Sequence, residues 1–323
     1  MKLGRKPLQR FLIFFAAATM AVSVAHGTEK GGSVWPVGAE SIAIALAQPG
    51  PRQACLFEYT NFYEANETVD QHGNRLPLPD FKLRVFALSP KVDWNTGVGF
   101  LGGSIGGWIS TPVLYEQIHL ASGKYSEYAL GNFSIVPITV FYHHKIFHWY
   151  WELQYQTPAA SYTLDSPINV GQHNMAFTPG AAITITPHHV LKELSARFDY
   201  VINGPNSATH YHGGNEFFTQ FDAMKGIPHT KMEVGGIGYF DQQTTDDTQY
   251  GKRVVSTNAD GTTSIGNRGR ALNLGAQVGL PIGKGGGMAF KWEQDLLVQN
   301  RTRGNSFWFQ LMIPFGQLHR HSH

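Results

Sequence analysis

Apolar and polar positions alternate through most of this chain. Residues 304–315, GNSFWFQLMIPF, put Phe307, Phe309, Leu311, Ile313 and Phe315 on one side and Ser306, Trp308 and Gln310 on the other. A period of two belongs to a strand with one apolar face. The run 146–156 repeats it, with Phe147, Trp149, Trp151, Leu153 and Tyr155 opposite His148, Tyr150, Glu152, Gln154 and Gln156. Leu194, Phe198 and Ile202 stand opposite Arg197, Asp199 and Asn203, and Met288, Phe290 and Trp292 opposite Lys291, Glu293 and Asp295. The pattern predicts strands at 54–63, 81–89, 98–109, 132–142, 146–156, 175–186, 194–203, 214–223, 230–241, 269–280, 287–297 and 304–315. It is weaker in the third and fourth of these, which Pro112 and Pro137 bound or interrupt.

The links between these strands sort by parity. Those after strands one, three, five and nine are long, at 64–80, 110–131, 157–174 and 242–268. Those after strands four, six, eight and ten are short, at 143–145, 187–193, 223–229 and 281–286. The links after strands two, seven and eleven depart from this rule. A barrel that crosses a membrane with both termini on one side sorts its links this way, with short turns at one end and long loops at the other. A secreted sandwich has no reason to do so. The expected fold is all-β, an antiparallel transmembrane β-barrel of about 12 strands with a range of about 10 to 14.

The ends of the chain fit export. Lys2, Arg5, Lys6 and Arg10 precede the apolar run FLIFFAAATMAVSVA, and small residues follow, so residues 1–27 read as a cleaved signal peptide. Residues 28–52 read as a periplasmic lead-in or a plug inside the barrel, 53–315 as the barrel, and 316–323 as a His-rich tail. Without the four leader cations, 21 Lys and Arg face 23 Asp and Glu, a net of −2. Nothing in that balance suggests a nucleic-acid partner. Charged residues are 15% of the chain, against about 25% in soluble domains. Low charge with abundant Gly and aromatics suits a wall in which every second strand residue meets lipid. A single cysteine, Cys55, rules out a disulfide within the chain.

Three stretches carry a family likeness: GGSVWPVGAE at 31–40, THYHGGNEF at 209–217, and GGIGYFDQQTTDD at 235–247 with RGR at 268–270. In this order they resemble the outer-membrane proteins named after the meta-pathway of phenol degradation, which include SphA-like proteins and are distantly similar to FadL-type channels. The resemblance implies passive uptake of hydrophobic or aromatic small molecules across a Gram-negative outer membrane. Its partners would be those solutes, the membrane lipids, and the barrel-assembly machinery during insertion. One departure is that Phe315 is followed by GQLHRHSH, where such barrels commonly end on an aromatic residue.

If the apolar stripes face lipid, the opposite faces line the lumen. That set is Tyr150, Glu152, Gln154, Arg197, Asp199, Lys291, Glu293, Asp295, Trp308 and Gln310, with Trp94 as a further aromatic for the path. A Lys or Arg turned to lipid near mid-membrane would cost about 2–4 kcal/mol. No catalytic residue and no cofactor are expected. A lipid hydrolase is the enzyme alternative, but the chain has no G-x-S-x-G elbow, and Ser195 to Asp199 has no histidine paired with it. A non-conducting surface-binding barrel is the other alternative. His210 and His212, two apart, are the weak metal candidates, beside His143, His144 and His148 and the pair His188 and His189. Asp241, Asp246, Asp247 and Asp260 match no calcium loop and read as a solvated external loop.

Overall fold

The computed structural model describes residues 38–40, 44–164, 166–187, 191–283 and 285–317. The expected signal peptide and residues 318–323 of the tail lie outside these residues. Among the described residues nineteen strands follow in order: β1 (Gln53–Thr68), β2 (Lys82–Phe100), β3 (Gly103–Ser110), β4 (Val113–Leu120), β5 (Gly123–Leu130), β6 (Ser134–His144), β7 (Phe147–Gln156), β8 (Ala176–Ile185), β9 (Glu193–Asn203) and β10 (Tyr211–His212). Then come β11 (Glu216–Gly226), β12 (Glu233–Gln243), β13 (Thr248–Gln249), β14 (Lys252–Arg253), β15 (Val255–Thr257), β16 (Thr263–Ile265), β17 (Arg270–Ile282), β18 (Gly286–Gln299) and β19 (Thr302–Gln317).

Twelve of these close a cylinder in the order β1, β2, β3, β6, β7, β8, β9, β11, β12, β17, β18, β19. β19 pairs back onto β1 from Gln53↔Gln317 to Thr68↔Thr302, while the other edge of β1 pairs with β2 from Gln53↔Asn95 to Ala65↔Leu83. Closure leaves these twelve staves no free edge, so their backbone donors and acceptors are satisfied within the wall. The two faces sit in inverted environments. On β9, Glu193, Ser195, Arg197, Asp199 and Val201 are buried, whereas Leu194, Phe198 and Ile202 are exposed. On β7, Tyr150, Glu152 and Gln154 are buried while Trp149 and Tyr155 are exposed. Polar inside and apolar outside is the order that a lipid solvent imposes on a barrel. Among the described residues no helix is long and apolar enough to cross a membrane.

The count of twelve staves matches the sequence pattern, but the second and third are placed differently. The expected gap between 89 and 98 does not exist, because β2 continues to Phe100 and turns at Leu101 and Gly102. A register shift between Asn95 and Val98 interrupts the pairing there. Gly97 adopts φ 71° in that bulge, its N–H donating to Asn95 Oδ1 at 2.9 Å. Thr96 and Gly97 face no residue of β3, and this unpaired Thr-Gly step after Asn95 reads in sequence as a loop. With the turn moved to 101–102, the link after the second stave is short like the other even ones.

The expected long link at 110–131 is itself the β4–β5 hairpin. β3 and β4 meet β2 in one continuous register, Lys91↔Ser110 and Leu88↔Val113, so Thr111 and Pro112 interrupt a single stave. Proline supplies no N–H for the ladder, which accounts for the break. The links 69–81, 157–175, 204–215 and 244–269 share the end that bears this hairpin. The turns 101–102, 145–146, 186–192, 227–232 and 283–285 share the other end with the start of β1 and the end of β19. β19 runs two residues beyond the expected boundary at Phe315.

Candidate functional site

Of the described residues ahead of β1, 38–40 and 44–49 lie inside the cylinder. Ala39, Ile44 and Ala45 are buried there, and the segment is held by side chains from around the wall. Lys291 Nζ on β18 donates to Gly38 O and Ala39 O, both at 2.7 Å. Glu40 N donates to Gln220 Oε1 on β11 at 3.1 Å, and Ala45 N to Thr184 Oγ1 on β8 at 2.9 Å. Asn95 Nδ2 on β2 donates to Pro49 O at 3.1 Å. Gly38 adopts φ 85°, and a Cβ on it would lie 2.5 Å from Glu293 Oε2. Both the backbone and the space call for glycine.

Arg197 is the hub of this interior. Its Nε donates to Asp199 Oδ2 at 2.8 Å, and its Nη1 to Glu40 Oε2 at 2.6 Å and Tyr150 Oη at 3.0 Å. Its Nη2 donates to Glu152 Oε1 at 2.7 Å and Asp199 Oδ1 at 3.0 Å. A guanidinium has five N–H donors, and all five are engaged. Glu152 Oε2 accepts from Trp108 Nε1 at 2.9 Å. The other oxygen of Glu40 accepts from Lys91 Nζ at 2.7 Å, and Asp93 lies 3.3 Å from the same ammonium. Lys91 Nζ also sits 4.9 Å from the Phe57 ring centroid and 5.1 Å from that of Trp108. Such contacts with ring faces favour a desolvated cation.

All ten residues expected to line the lumen are buried on the inner face. Tyr150, Glu152, Arg197 and Asp199 meet in the hub. Lys291 lies 5.0 Å from the Trp308 ring, on the Glu293 side of residue 38. Asp295 forms a separate cluster, accepting from Tyr239 Oη at 2.9 Å, Gly304 N at 2.9 Å, Tyr63 Oη at 3.2 Å and Asn273 Nδ2 at 3.2 Å. Gln154 donates to Ser134 Oγ at 3.4 Å, and Gln310 stands opposite Tyr59 in the β1–β19 pair.

Trp94 requires correction. It shares the face of Leu88 and Phe86, across from buried Lys91, Asp93 and Asn95, and so points away from the lumen. The sequence reading also passed over Glu40, Lys91, Asp93 and Trp108. It missed Arg301 too, which bridges Glu216 at 2.9 Å and Asp241 at 2.6 Å. A signal for Lys91 and Asp93 was present. Lys91-x-Asp93 repeats the spacing of Arg197-x-Asp199 and Lys291-x-Glu293, which puts a cation and an acid on one face of a strand.

The interior is aromatic as well as charged. Trp108, Val136, Phe218, Tyr239 and Ala271, from five different staves, form one buried cluster. Ala39 joins Cys55, Phe57, Tyr59 and Trp308 in a second, and Ile44 and Ala45 join Phe141, Tyr150 and Ala182 in a third. At the short-turn end lies a cavity of about 540 Å³ whose lining joins Leu46, Met224, Leu280, Met288 and Met312 to Lys145, Lys192, Glu193 and Glu233.

The other chemical candidates disperse. His212 Nε2 lies 2.6 Å from Asn203 O, and the His210 ring lies against Tyr250. His143 and His148 contact each other through Nδ1 at 2.9 Å, while His188 and His189 fall outside the described residues. Among the described residues no three His, Cys, Asp or Glu side chains gather as a metal ion would require. Ser195 Oγ lies 2.9 Å from Thr184 Oγ1 within the wall. The four aspartates of the expected external loop go separate ways. Asp241 pairs with Arg301, and Asp246 with Arg253 and Arg268. Asp260 caps a turn at Thr262 N. Asp247 is buried, accepting from Gly214 N at 2.7 Å, Gln243 Nε2 at 2.6 Å and Tyr211 Oη. It ties the links 204–215 and 244–269 together.

A closed antiparallel cylinder, apolar outside and ionic and aromatic within, defines a transmembrane β-barrel of the outer-membrane type. The chain belongs to the family described as "Putative MetA-pathway of phenol degradation", which matches residues 65–311. No curated protein matches the sequence. Among solved structures, the chain is similar to the COG4313 outer membrane channel from Pseudomonas putida F1, with 12% identity and a TM-score of 0.68 over 88% of this chain and 100% of that one. It is more remotely similar to the β domain of the Bordetella autotransporter BrkA, at 12% identity and a TM-score of 0.45 over 81% and 100%. A Pseudomonas aeruginosa FadL homologue stands at 9% identity and a TM-score of 0.34 over 83% and 90%. Of these three, the first carries the shared fold.

Proposed function

We propose that this protein sits in the bacterial outer membrane, reached by export with a cleaved signal peptide, and lets small hydrophobic and aromatic molecules pass inward without a cofactor. The observation that carries this reading is the engagement of three lumen cations, Arg197, Lys91 and Lys291, by the protein itself. All five Arg197 donors are spent on Glu40, Tyr150, Glu152 and Asp199, and Lys91 and Lys291 lie against aromatic rings. An anionic solute therefore meets few free cations around the segment ahead of β1. An apolar one meets Trp108, Phe218, Tyr239 and Trp308, and then the methionine-lined cavity at the short-turn end. Methionine is unbranched and polarizable, and suits apolar ligands of varied shape. The segment ahead of β1 narrows the path, which favours a selective route over a general pore.

The test is uptake by liposomes holding the refolded protein, comparing small aromatic compounds with sugars of similar size. Faster aromatic uptake that falls with Trp308→Ala supports the proposal. No uptake of either class, in vesicles where the barrel is folded and inserted, overturns it. That result would favour the non-conducting surface barrel, a reading to which the filled lumen also lends support.

A further inference from the structure

The outer surface of the wall changes character in ordered rows near the long-link end. Leu88, Val113 and Leu130 stand side by side across β2, β4 and β5. Two residues further out the row is Phe86, Tyr115 and Tyr128, continued by Phe62 on β1. These four rings are exposed, Tyr128 at 75%. The next row is Arg84, Gln117 and Ser126, and the one beyond is Lys82, His119 and Lys124. The apolar and basic ends of this ladder are six residues apart on β2, roughly 20 Å at about 3.3 Å per residue.

The basic row is unusual in itself. Neighbouring strands lie about 4.8 Å apart, so Lys82 and Lys124, on either side of His119, stand about 10 Å apart, close enough for both long side chains to reach one anion. Here Lys82, His119 and Lys124 are consecutive partners, with Arg84 diagonal to them. Glu64 is the carboxylate that faces them, 3.1 Å from Lys82 Nζ and 2.6 Å from Arg84 Nε. It is shared by two cations, and Lys124 is exposed beside them. His119 Nε2, buried between the two lysines, has no hydrogen-bond partner among the described residues. The opposite face of the hairpin is covered. Glu127 there accepts from Ser161 Oγ at 2.8 Å and Val170 N at 3.0 Å, both in the link 157–175. The basic face is therefore the outward one, continuous with the lipid-facing wall.

Aromatic rings mark the boundary of a bilayer, and a basic cluster just beyond that boundary attracts anionic headgroups. We infer that Lys82, Arg84, His119 and Lys124 form a docking site for a phosphate of the glycolipid in the outer leaflet, whose acyl chains lie along Phe62, Phe86, Tyr115, Tyr128 and Leu130. The site rests on the outer-membrane placement proposed above but not on what the lumen carries. A phosphate would bridge the lysines through charge-assisted hydrogen bonds. The aromatic row would fix the depth of the barrel in the leaflet.

The experiment measures binding of purified lipopolysaccharide to the full-length refolded barrel, with its enzymatically dephosphorylated form and inorganic phosphate as separate arms. The variants are Lys82→Gln/Lys124→Gln and, as a control at the short-turn end, Lys225→Gln/Lys231→Gln. The first pair is expected to weaken lipopolysaccharide binding at least tenfold and the control pair not at all. The dephosphorylated lipid should bind the unaltered protein as weakly as the intact lipid binds the first pair. Equal binding by both variant pairs, or by both lipid forms, overturns the inference. So does displacement of the lipid by millimolar phosphate, which would mark a free-anion site. Heat-modifiable gel migration checks folding, and vesicle insertion is scored separately. Failure of the barrel to insert is thereby distinguished from failure of the docking site.

Discussion

Arg197 Nη1 lies 2.6 Å from Glu40 Oε2, although the two residues are 157 positions apart. One belongs to the wall and the other to the segment within it. Glu40→Ala removes this tie together with the tie to Lys91, while Arg197 keeps Glu152 and Asp199. The expected result is a several-fold rise in sugar uptake by proteoliposomes with folding intact. Unchanged uptake would show that other contacts hold the segment. Arg197→Met should behave differently, because it leaves Glu152 and Asp199 buried without their cation. Breaking a buried pair from one side costs about 3–5 kcal/mol. The urea midpoint of the barrel should fall accordingly.

Asp247 makes the joined outer links sensitive to pH. Burial pushes its carboxyl up to about 6, against the opposing pull of bonds from Tyr211, Gly214 N and Gln243. A free aspartate titrates near about 3.9. The folded state thus holds this proton more tightly than the unfolded one. Stability falls as pH rises from about 4 to about 6 and is flat above that window. Amide exchange in 204–215 and 244–269, corrected for intrinsic rates, should be slower at pH 4 than at pH 7. Asp247→Asn should remove most of that difference. If it leaves the difference intact, another group is responsible.

Trp94 and Trp308 are expected to separate cleanly by their surroundings. In variants that retain one or the other as the sole tryptophan, brominated lipid chains should quench Trp94 strongly and Trp308 little. Equal quenching would contradict the placement of Trp308 inside the barrel.

Alternation made most of the staves legible, because the faces of each strand meet different solvents. Leu194 and Arg197 can be assigned to opposite sides from their positions alone. That logic fails where the backbone adds residues that have no partner on the next strand. The bulge at Thr96 and Gly97 hid half of β2, and Lys91 and Asp93 with it. Pro112 made one interrupted stave look like a strand followed by a loop. Glu40 was beyond reach for another reason. Its segment has no period, and its partners Lys91, Tyr150 and Arg197 come together only when the sheet curls shut. The ten inward residues were found by pattern, but their division into the Arg197, Lys291 and Asp295 clusters depends on stave order and shear, which a strand pattern does not encode.

The closure of the barrel also has a consequence in time. β1 carries the lumen segment at its leading end, and its free edge waits for β19, the last strand among the described residues. Joining these two strands is the least local pairing among the described residues and the slowest to find. Until it happens the sheet is an open trough, and the segment is tethered at one of its rims. Assembly can then lay the segment against β8, β9, β11 and β18 before the seam shuts, so the core is enclosed by wrapping and never has to be threaded.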